Sequence, residues 1–503
     1  MDSASDLHGV RQDASHDRFS VFVAAWHVLK PEFRNVIRWE AKMDKFGRRQ
    51  LLIGSLMSGV FSPVPQSPSR PADLARFSNR TAGRIHEAIK NAPLSDVHCH
   101  AFVSQSALTE RQFLEELSLA AFMMGAYFPS GIYQQWRNGD ADTRKRLNDT
   151  YQIEKRVDEV THHFAQTVFM KFLVNELAAF FRCKPTLKDV VAARNERTKD
   201  FWGYANGLFD EAQFRALLID TGYRFNQINF KDFAGQLKNL NCFWVFRLET
   251  ALGPLLNQDI TLDDLSSRFI ARLLKELDDG HVGFKSYIAS TGLDVRPWPL
   301  ADVEKAWTEM KQTPAGQRQG FPYMPTKIVR EHMLWLALDL AYERNVPVQI
   351  HSGNGEGPGV FLSRQYPYNL ENVVRYPVTA PQKPVKVIMV HGGYPHVDEA
   401  AYMSHIFTNV YYDISLMSPL VSRGLHQRFL DIFETVPMSK ILHGSDAYNM
   451  PEFYYASGKW TKRYLASALA VLVDDGIYTL DEVLPIARSI LFGNTMTAYN
   501  LKS

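Results

Sequence analysis

The sequence contains little cysteine, almost no excess charge and only one short apolar run near its start. Three cysteines in 503 residues, at positions 99, 183 and 242, are too few and too scattered for a disulfide framework or a cysteine-type zinc site. Lysine plus arginine number 56 and aspartate plus glutamate 54, so the charge balance gives no reason to expect nucleic-acid binding. These shortages argue against a disulfide-stapled scaffold and against a basic nucleic-acid-binding protein.

The remaining composition is that of a large globular protein. Hydrophobic residues make up 46% of the chain and charged residues 22%, which is enough material for a large core. The length allows two or three domains, although α/β barrels often form one domain of this size. We therefore expect a folded protein with one large core.

The N-terminal region has the layout of an export signal. Basic residues ending in Arg48 and Arg49 precede an apolar run from Leu51 to Phe61, and a segment rich in proline and serine follows. Paired arginines before a short apolar run are typical of twin-arginine export signals. The run of about a dozen residues is too short to cross a bilayer, which needs about 20. No stable membrane span is therefore expected.

This layout sets the expected domain organisation and location. Residues 1–42 are predicted to be a mis-assigned leader, with translation starting at Met43. Residues 43–78 are predicted to be the signal and a linker, and residues 79–503 the folded domain. The expected location is the periplasm if the signal is used and the cytoplasm otherwise. The alternative is an amphipathic leader without an export role, because no clean cleavage motif follows the apolar run.

Eight short apolar segments alternate with helical patterns along the rest of the chain. An apolar segment that ends in a polar residue is typical of a buried parallel strand whose last side chain reaches the rim of a barrel. The predicted strands are Leu94–His100, Ala216–Asp220, Cys242–Thr250, Val282–Ile288, Val346–His351, Val385–His391, Val410–Ile414 and Lys440–Asp446. Residues 103–215 are predicted to be a helical insertion at the mouth of the site. The pattern predicts an α/β fold, a TIM-like (β/α)8 barrel.

Five polar residues stand at the ends of these predicted strands. His98 and His100 are two residues apart, so their side chains share one face of a strand. His351, His391 and Asp446 each end a separate strand, and the C-terminal ends of barrel strands meet at one rim. Histidine nitrogens and a carboxylate are the ligands of a zinc-like ion. One such histidine alone is more often a core or surface residue, whereas the combination predicts a metal site.

The same residues carry a resemblance to a known family. The order HxH, lysine, histidine, histidine, aspartate resembles the amidohydrolase superfamily, in particular its amidohydrolase-2 branch and the amidohydrolase-like domains fused to glutamine-synthetase-like proteins (nodulin-like or FluG-like). The resembling segments are LSDVHCHAF at 94–102, LIDTGY at 218–223, FRLET at 246–250, GFKSYIA at 283–289, VQIHSG at 348–353, VHGGYPHVDEAAYM at 390–403, NVYYDIS at 409–415 and SKILHGSDA at 439–447. His443 departs from the aromatic or apolar residue that the pattern leads us to expect, and would alter the pocket or stand behind it.

The resemblance implies a metal-dependent hydrolase. The implied cofactor is one or two divalent ions, zinc or else manganese, held by His98, His100, His351, His391 and Asp446. A bound ion lowers the pKa of its water from ~15.7 toward ~7. Asp446 is expected to bind the ion or hold that water, to accept its proton and to pass it to the leaving nitrogen. In the alternative arrangement, His391 or His351 polarises the substrate carbonyl instead of binding the ion.

Three further residues are expected at the rim. Lys285 lies on the predicted fourth strand, where some members of the superfamily carry a carboxylated lysine that bridges two metal ions. Uncarboxylated, Lys285 would bind a substrate carboxylate, and both alternatives stay open together with the number of ions. Arg247 and Glu249 are candidate substrate-binding residues, because arginine suits a planar carboxylate. The alternative for these two is a structural ion pair inside the barrel.

Three functions are consistent with such a site. The preferred one is hydrolysis of a carbon–nitrogen bond, an amide of γ-glutamyl type, in a small carboxylate substrate. The second is decarboxylation, because relatives in this branch use similar ligands for that reaction. The third is a binding protein that kept the barrel, which the complete ligand set argues against since buried polar ligands are costly. A small molecule is the expected partner, and self-association stays open.

Overall fold

The structure is a computed structural model that describes residues 77–118, 128, 132–223, 228–314, 323–353, 361–375 and 385–502. The leader predicted for residues 1–42 lies outside the described residues. The same holds for the signal and linker predicted for residues 43–78, apart from residues 77 and 78.

Eight parallel strands form the centre of the described chain. They pair in sequence order, from β1 with β2 to β7 with β8. Their bounds are β1 Leu94–Cys99, β2 Phe214–Asp220, β3 Asn241–Arg247, β4 His281–Ser286, β5 Val348–His351, β6 Val387–Val390, β7 Val410–Asp413 and β8 Ile441–Leu442. Backbone hydrogen bonds from Val97 N to His443 O (2.9 Å) and from Asp446 N to His98 O (2.8 Å) join the last strand region to the first. The predicted (β/α)8 barrel is therefore confirmed.

Several strands end earlier than the sequence predicts. His100, His391 and Asp446 lie just past β1, β6 and β8, and Glu249 lies in the first turn of the helix after β3. His391 (φ 73°) and Asp446 (φ 55°) adopt left-handed backbone conformations, which cannot continue a strand. The residues that reach the rim therefore belong to the loops that leave the barrel.

Helices follow the strands and fill the segment between β1 and β2. The helices are α1 Arg80–Ile89, α2 Glu110–Leu117, α3 Ile132–Asn138, α4 Ala141–Tyr151, α5 Ile153–Ala165, α6 Val168–Phe181, α7 Leu187–Arg197, α8 Phe201–Ala212, α9 Phe230–Gln236, α10 Leu248–Leu255, α11 Leu262–Asp278, α12 Leu300–Gln312, α13 Met324–Glu343, α14 Glu371–Val374, α15 Val397–Ile406, α16 Met417–Leu420, α17 Leu425–Phe433, α18 Pro451–Asp474, α19 Leu480–Arg488 and α20 Asn494–Ala498. Helices α2 to α8 occupy the stretch for which the sequence predicts a helical insertion. Among the described residues, no single helix has the length and apolarity to cross a bilayer; α5 and α6 pass that test only as a pair bent by 71°.

The strands separate two regions of the core. Leu217 and Ile219 of β2 belong to the large cluster between the strands and the helices. Leu218, between them, belongs to a smaller cluster with Val97 and Val245, so it points into the barrel. Each fully buried aliphatic side chain of this kind contributes roughly 1.5–3 kcal/mol. The inner cluster fills the barrel below the rim, which leaves the C-terminal ends of the strands for polar side chains.

Candidate metal centre

Four of the predicted metal ligands lie close together at the C-terminal rim of the barrel. The Oδ1 atom of Asp446 is 3.1 Å from His98 Nε2 and 3.0 Å from His100 Nε2. Its Oδ2 atom is 3.8 Å from His391 Nε2. The three histidines are buried, and the Asp446 side chain is 13% exposed. One ion with ligand distances of about 2.0–2.2 Å fits between atoms at these separations.

A second possible ligand set shares two of these histidines. Ligand atoms of His98, His100 and Asp220 lie within 4.8 Å of one another, as do those of His98, His391 and Asp446. Asp220 is the fully buried last residue of β2. The sequence-based site omitted it, although Asp220 ends an apolar strand just as Asp446 follows one. A carboxylate at the end of a predicted barrel strand was the signal that would have found it.

His351 and Lys285 border this cluster. His351 Nδ1 lies 3.2 Å from His391 Nε2, and Lys285 Nζ lies 3.4 Å from His98 Nε2. Both side chains are buried, and among the described histidines and carboxylates His351 lies outside the two ligand sets. The structure thus brings all six sequence-predicted metal residues to one rim, with these two beside the tightest group.

Burial sets the protonation of the cluster. It lowers the pKa of His98 to about 4 and, with help from neighbouring cations, holds those of His351 and His391 well below the ordinary value. Burial opposes ionisation of Asp446, but the nearby His391 and the hydrogen bonds from the other imidazoles outweigh it, so its pKa lies well below its usual range. Burial also lowers the pKa of Lys285 to about 8. Neutral imidazoles beside an ionised carboxylate are the forms that bind a divalent cation.

The ring nitrogens of two ligands divide between two sides. The Nε2 atoms of His98 and His100 face the Asp446 carboxylate, whereas their Nδ1 atoms are buried and have no hydrogen-bond partner within the described part of the chain. An ion held through Nε2 would leave these Nδ1 atoms to a water or another ligand, so the fit of the ion rests on the Nε2 atoms and the carboxylate. The histidines and Asp446 therefore fit a divalent metal by their chemistry, their burial and their spacing.

Hydrogen bonds behind the cluster orient its members. Ser415 Oγ lies 2.9 Å from His391 Nδ1 and donates its own proton to Asp413. Since the Ser415 proton is committed to Asp413, Ser415 accepts from His391 Nδ1–H, which leaves the lone pair on Nε2 facing the cluster. Asp96 of β1 holds the loop after β8 in a similar way, because its carboxylate accepts hydrogen bonds from the backbone N–H and the hydroxyl of Ser445. These bonds hold the ligand-bearing loops in place.

The backbone at the site is strained at two of its ligands. Residues other than glycine that hold a left-handed conformation, as His391 and Asp446 do, cost of order 1–3 kcal/mol and occur at functional sites. Gly392, which follows His391, also has a positive φ of 52°, and a Cβ there would lie 2.7 Å from the ring of Tyr412. A glycine is therefore required where the chain turns away from the metal centre.

Two candidate substrate-binding residues, Arg247 at the end of β3 and Glu249 in the first turn of α10, each contact other residues. The Nε atom of Arg247 lies 3.1 and 3.0 Å from the two carboxylate oxygens of Asp220, and its Nη2 atom donates to Asp220 as well. Glu249 accepts from the backbone N–H of Tyr287 (2.7 Å) and lies 3.6 Å from Arg330. Arg247 therefore forms an ion pair inside the barrel, which is the alternative to substrate binding given above, but its partner is Asp220 and not Glu249.

Aromatic side chains surround the outer side of the cluster. The ring of Tyr223 lies 5.3 Å from that of His100 and 6.2 Å from that of Tyr448. The Tyr223 hydroxyl donates to Asn449 Oδ1 at 2.8 Å. The sequence-based site did not include these residues. They follow β2 and β8 closely in the chain, which is the signal that places them at the rim.

His443 lies away from the rim. Its neighbour Leu442 points into the barrel, so His443 points outward, where its ring lies 6.1 Å from that of Phe214. Neither ring nitrogen has a hydrogen-bond partner in the described part of the chain, and burial lowers the pKa of this side chain to about 3. The expectation that His443 changes the pocket or stands behind it is therefore wrong, because strand alternation turns the ring toward the helices.

Comparisons with known proteins agree with this fold. Residues 263–474 match a family model described as amidohydrolase. The chain is 25% identical over 355 residues to protein fluG of Emericella nidulans, a match that covers 65% of this chain and 40% of that protein. The chain thus spans well under half the length of this curated relative.

Solved structures share the fold. A Lactobacillus casei protein whose name assigns it to the metal-dependent hydrolases is 21% identical, with a TM-score of 0.66 over 83% of this chain and 97% of that chain. The uronate isomerase of Thermotoga maritima is 11% identical, with a TM-score of 0.58 over 84% of this chain and 98% of that chain. The glucuronate isomerase of Caulobacter crescentus is 12% identical, with a TM-score of 0.58 over 86% and 98%. At these identities the likeness establishes the barrel.

Proposed function

We propose that the chain is an amidohydrolase, on the match of residues 263–474 to that family model, and that it hydrolyses a carbon–nitrogen bond, an amide of γ-glutamyl type, in a small carboxylate substrate. The observation that carries the proposal is the convergence of His98, His100, His391 and Asp446 within one ion's reach at the barrel rim. These residues come from three separate parts of the chain, and the lowered pKa values of His98, His391 and Asp446 favour neutral imidazoles beside an ionised carboxylate.

The metal site supplies the nucleophile. A divalent ion, zinc or manganese, supplies Lewis acidity and lowers the pKa of a bound water toward ~7. The residues proposed to hold it are His98, His100, His391 and Asp446. Of the two alternatives that the sequence leaves open, we assign His351 to the substrate carbonyl, because it lies beside His391 yet outside the two closest ligand sets.

Asp446 is the proposed proton carrier. Its carboxylate stays ionised, is partly reached by solvent and faces three imidazoles. It can therefore accept a proton from the attacking water and deliver that proton to the leaving nitrogen, which must leave as a neutral amine. Proton transfer by a positioned side chain of this kind contributes roughly 10²–10⁴-fold to a rate.

Lys285 is the proposed partner of the substrate carboxylate. Arg247 is already engaged by Asp220, whereas the Lys285 ammonium reaches the edge of the histidine cluster. Its pKa of about 8 keeps most of the population cationic at pH 7. We therefore propose an uncarboxylated Lys285 and a single ion.

The test combines metal content with product identity. Elemental mass spectrometry of the full chain should find one equivalent of zinc or manganese, and the His98→Ala variant should lose it. γ-Glutamyl and aryl amides should release amine with the wild type and none with the variant. Release of carbon dioxide from a carboxylate substrate without amine release would support the decarboxylase instead. Absence of bound metal after supplementation would contradict the proposal.

A further inference from the structure

We propose that Arg194 and Glu452 form a buried positioning pair through which the helical insertion holds His100 in the metal centre. The inference rests on the proposed function, because it takes His100 as a metal ligand. Its own basis is a set of hydrogen bonds by which α7 of the insertion and the first turn of α18 hold His100 and the loop that follows it.

The pair lies in the interior between the insertion and the barrel. Arg194 of α7 and Glu452 of α18 are both fully buried, and Arg194 Nε lies 2.5 Å from Glu452 Oε1. The same oxygen accepts from the hydroxyl of Tyr204 of α8 at 2.9 Å. Arg194 Nη2 donates to Gln105 Oε1 at 2.6 Å. Two helices of the insertion are thereby tied to one carboxylate on α18.

Both ends of this network reach the segment that begins at His100. Gln105 lies in the loop that leads from His100 to α2, so Arg194 holds that loop five residues after the ligand. Tyr454, two residues after Glu452 on α18, donates a hydrogen bond from its hydroxyl to the backbone carbonyl of His100. The first turn of α18 thus holds His100 directly and holds the following loop through the ion pair. Both contacts lie at or after the His100 carbonyl, so they fix the backbone on the C-terminal side of this ligand.

The pair is not the arrangement that stability alone would favour. Two buried charges lose hydration, and an apolar pair of similar volume is often as stable or more stable. Arg194 Nη1 and Glu452 Oε2 are buried without a hydrogen-bond partner in the described part of the chain. A role in geometry accounts for keeping directional charged groups here, since removing the outer partners of metal ligands costs 10–100-fold in metal affinity.

The experiment compares two buried cations in the full chain. Arg194→Met removes the proposed pair, and Lys327→Met removes a second buried ion pair, that of Lys327 with Glu331 on α13. Lys327 contacts Glu331 and Asp294, and both of these residues lie outside the network around His100. Zn²⁺ affinity is measured by competition with a chromophoric chelator, and the melting temperature is measured on metal-free protein. We expect both variants to melt earlier, and only Arg194→Met to bind Zn²⁺ more weakly, by about 10-fold, the lower end of the range for outer partners of a ligand, because Arg194 acts on His100 through Gln105 and Glu452.

A double variant separates positioning from folding. Arg194→Met combined with Glu452→Leu removes both charges of this pair, so neither is left buried without its partner and the melting temperature should recover. The hydrogen bond to Gln105 is still absent, so Zn²⁺ affinity should stay as low as in Arg194→Met. The absorption spectrum of Co²⁺ bound to either variant should differ from that of Co²⁺ bound to the wild type.

The outcomes distinguish this inference from the proposed function. Equal Zn²⁺ affinities for Arg194→Met and Lys327→Met, or an affinity that recovers together with the melting temperature in the double variant, would overturn the inference alone. A wild-type chain without affinity for Zn²⁺ would overturn the proposed function and this inference with it.

Discussion

Replacing Asp220 by asparagine should destabilise the protein through Arg247. The Arg247 guanidinium contacts both oxygens of Asp220 at 3.0 and 3.1 Å through Nε, and adds a further bond through Nη2. The Asp220 carboxylate is fully buried, and the Arg247 side chain is 22% exposed. Asparagine keeps the size of the side chain and removes its charge, so the guanidinium stays in the barrel without the carboxylate that it contacts, and only the more distant Glu249 remains as a counter-charge.

The size of the effect follows from this burial. Removing one partner of a buried ion pair costs about 3–5 kcal/mol. Because Arg247 keeps some contact with water and lies over the ring of Tyr287, 5.6 Å from its centroid, we expect the lower end of that range. Arg247→Met should lower the free energy of unfolding by a similar amount, since it leaves the buried Asp220 carboxylate without the guanidinium. The double variant should recover part of the loss, with a coupling energy of about 2 kcal/mol.

The assay is urea denaturation of the metal-free full chain, with thermal melts at one fixed scan rate beside it. The matched control is Asp149→Asn, which breaks the exposed pair with Lys145, whose side chains are 60% and 76% exposed. Such an exposed pair is screened by water and should change stability little. Additive effects of the Asp220 and Arg247 substitutions would refute the ion-pair reasoning. An Arg247→Met variant with normal stability and a raised KM would assign Arg247 to the substrate instead.

Four further predictions concern the site and its surroundings. Asp446→Asn should lower kcat by about 10²–10⁴-fold in an amine-release assay while the circular dichroism spectrum is retained; normal turnover would rule out the proton-transfer role. Ser415→Ala removes the acceptor of His391 Nδ1–H and should weaken Zn²⁺ binding 10–100-fold in chelator competition, and an unchanged affinity would count against that orientation. For a carboxylate substrate, kcat/KM should fall as pH rises through about 8, where Lys285 loses its charge, and Lys285→Met should lack this fall. Burial lowers the pKa of His443 from 6.5 to about 3, so the contribution of the neutral side chain to stability is intact above pH 6.5 and is lost as pH falls toward 3. On going from pH 7.5 to pH 5, the wild type should therefore lose about 2 kcal/mol more of its free energy of unfolding than His443→Phe does. Equal losses of stability in the two proteins would contradict this.

The local pattern of the sequence determined the barrel and most of the candidate metal centre. Buried parallel strands need continuous apolar runs, and the eight runs are visible without any knowledge of their pairing. Strand geometry places His98 and His100 on one face, and barrel closure brings His391 and Asp446 to the same rim. These inferences use only periodicity and chain order, which is why they could be made before the contacts were known.

Only the tertiary structure decided how the charged groups are paired. Asp220 and Arg247 are 27 residues apart and Arg194 and Glu452 are 258 apart, and no periodicity links either pair. A carboxylate at a strand end has the same sequence signal whether it meets a metal or a guanidinium. Which of these it meets depends on the loops and helices that pack around it, because a buried charge is stable only beside the partner that the fold places there.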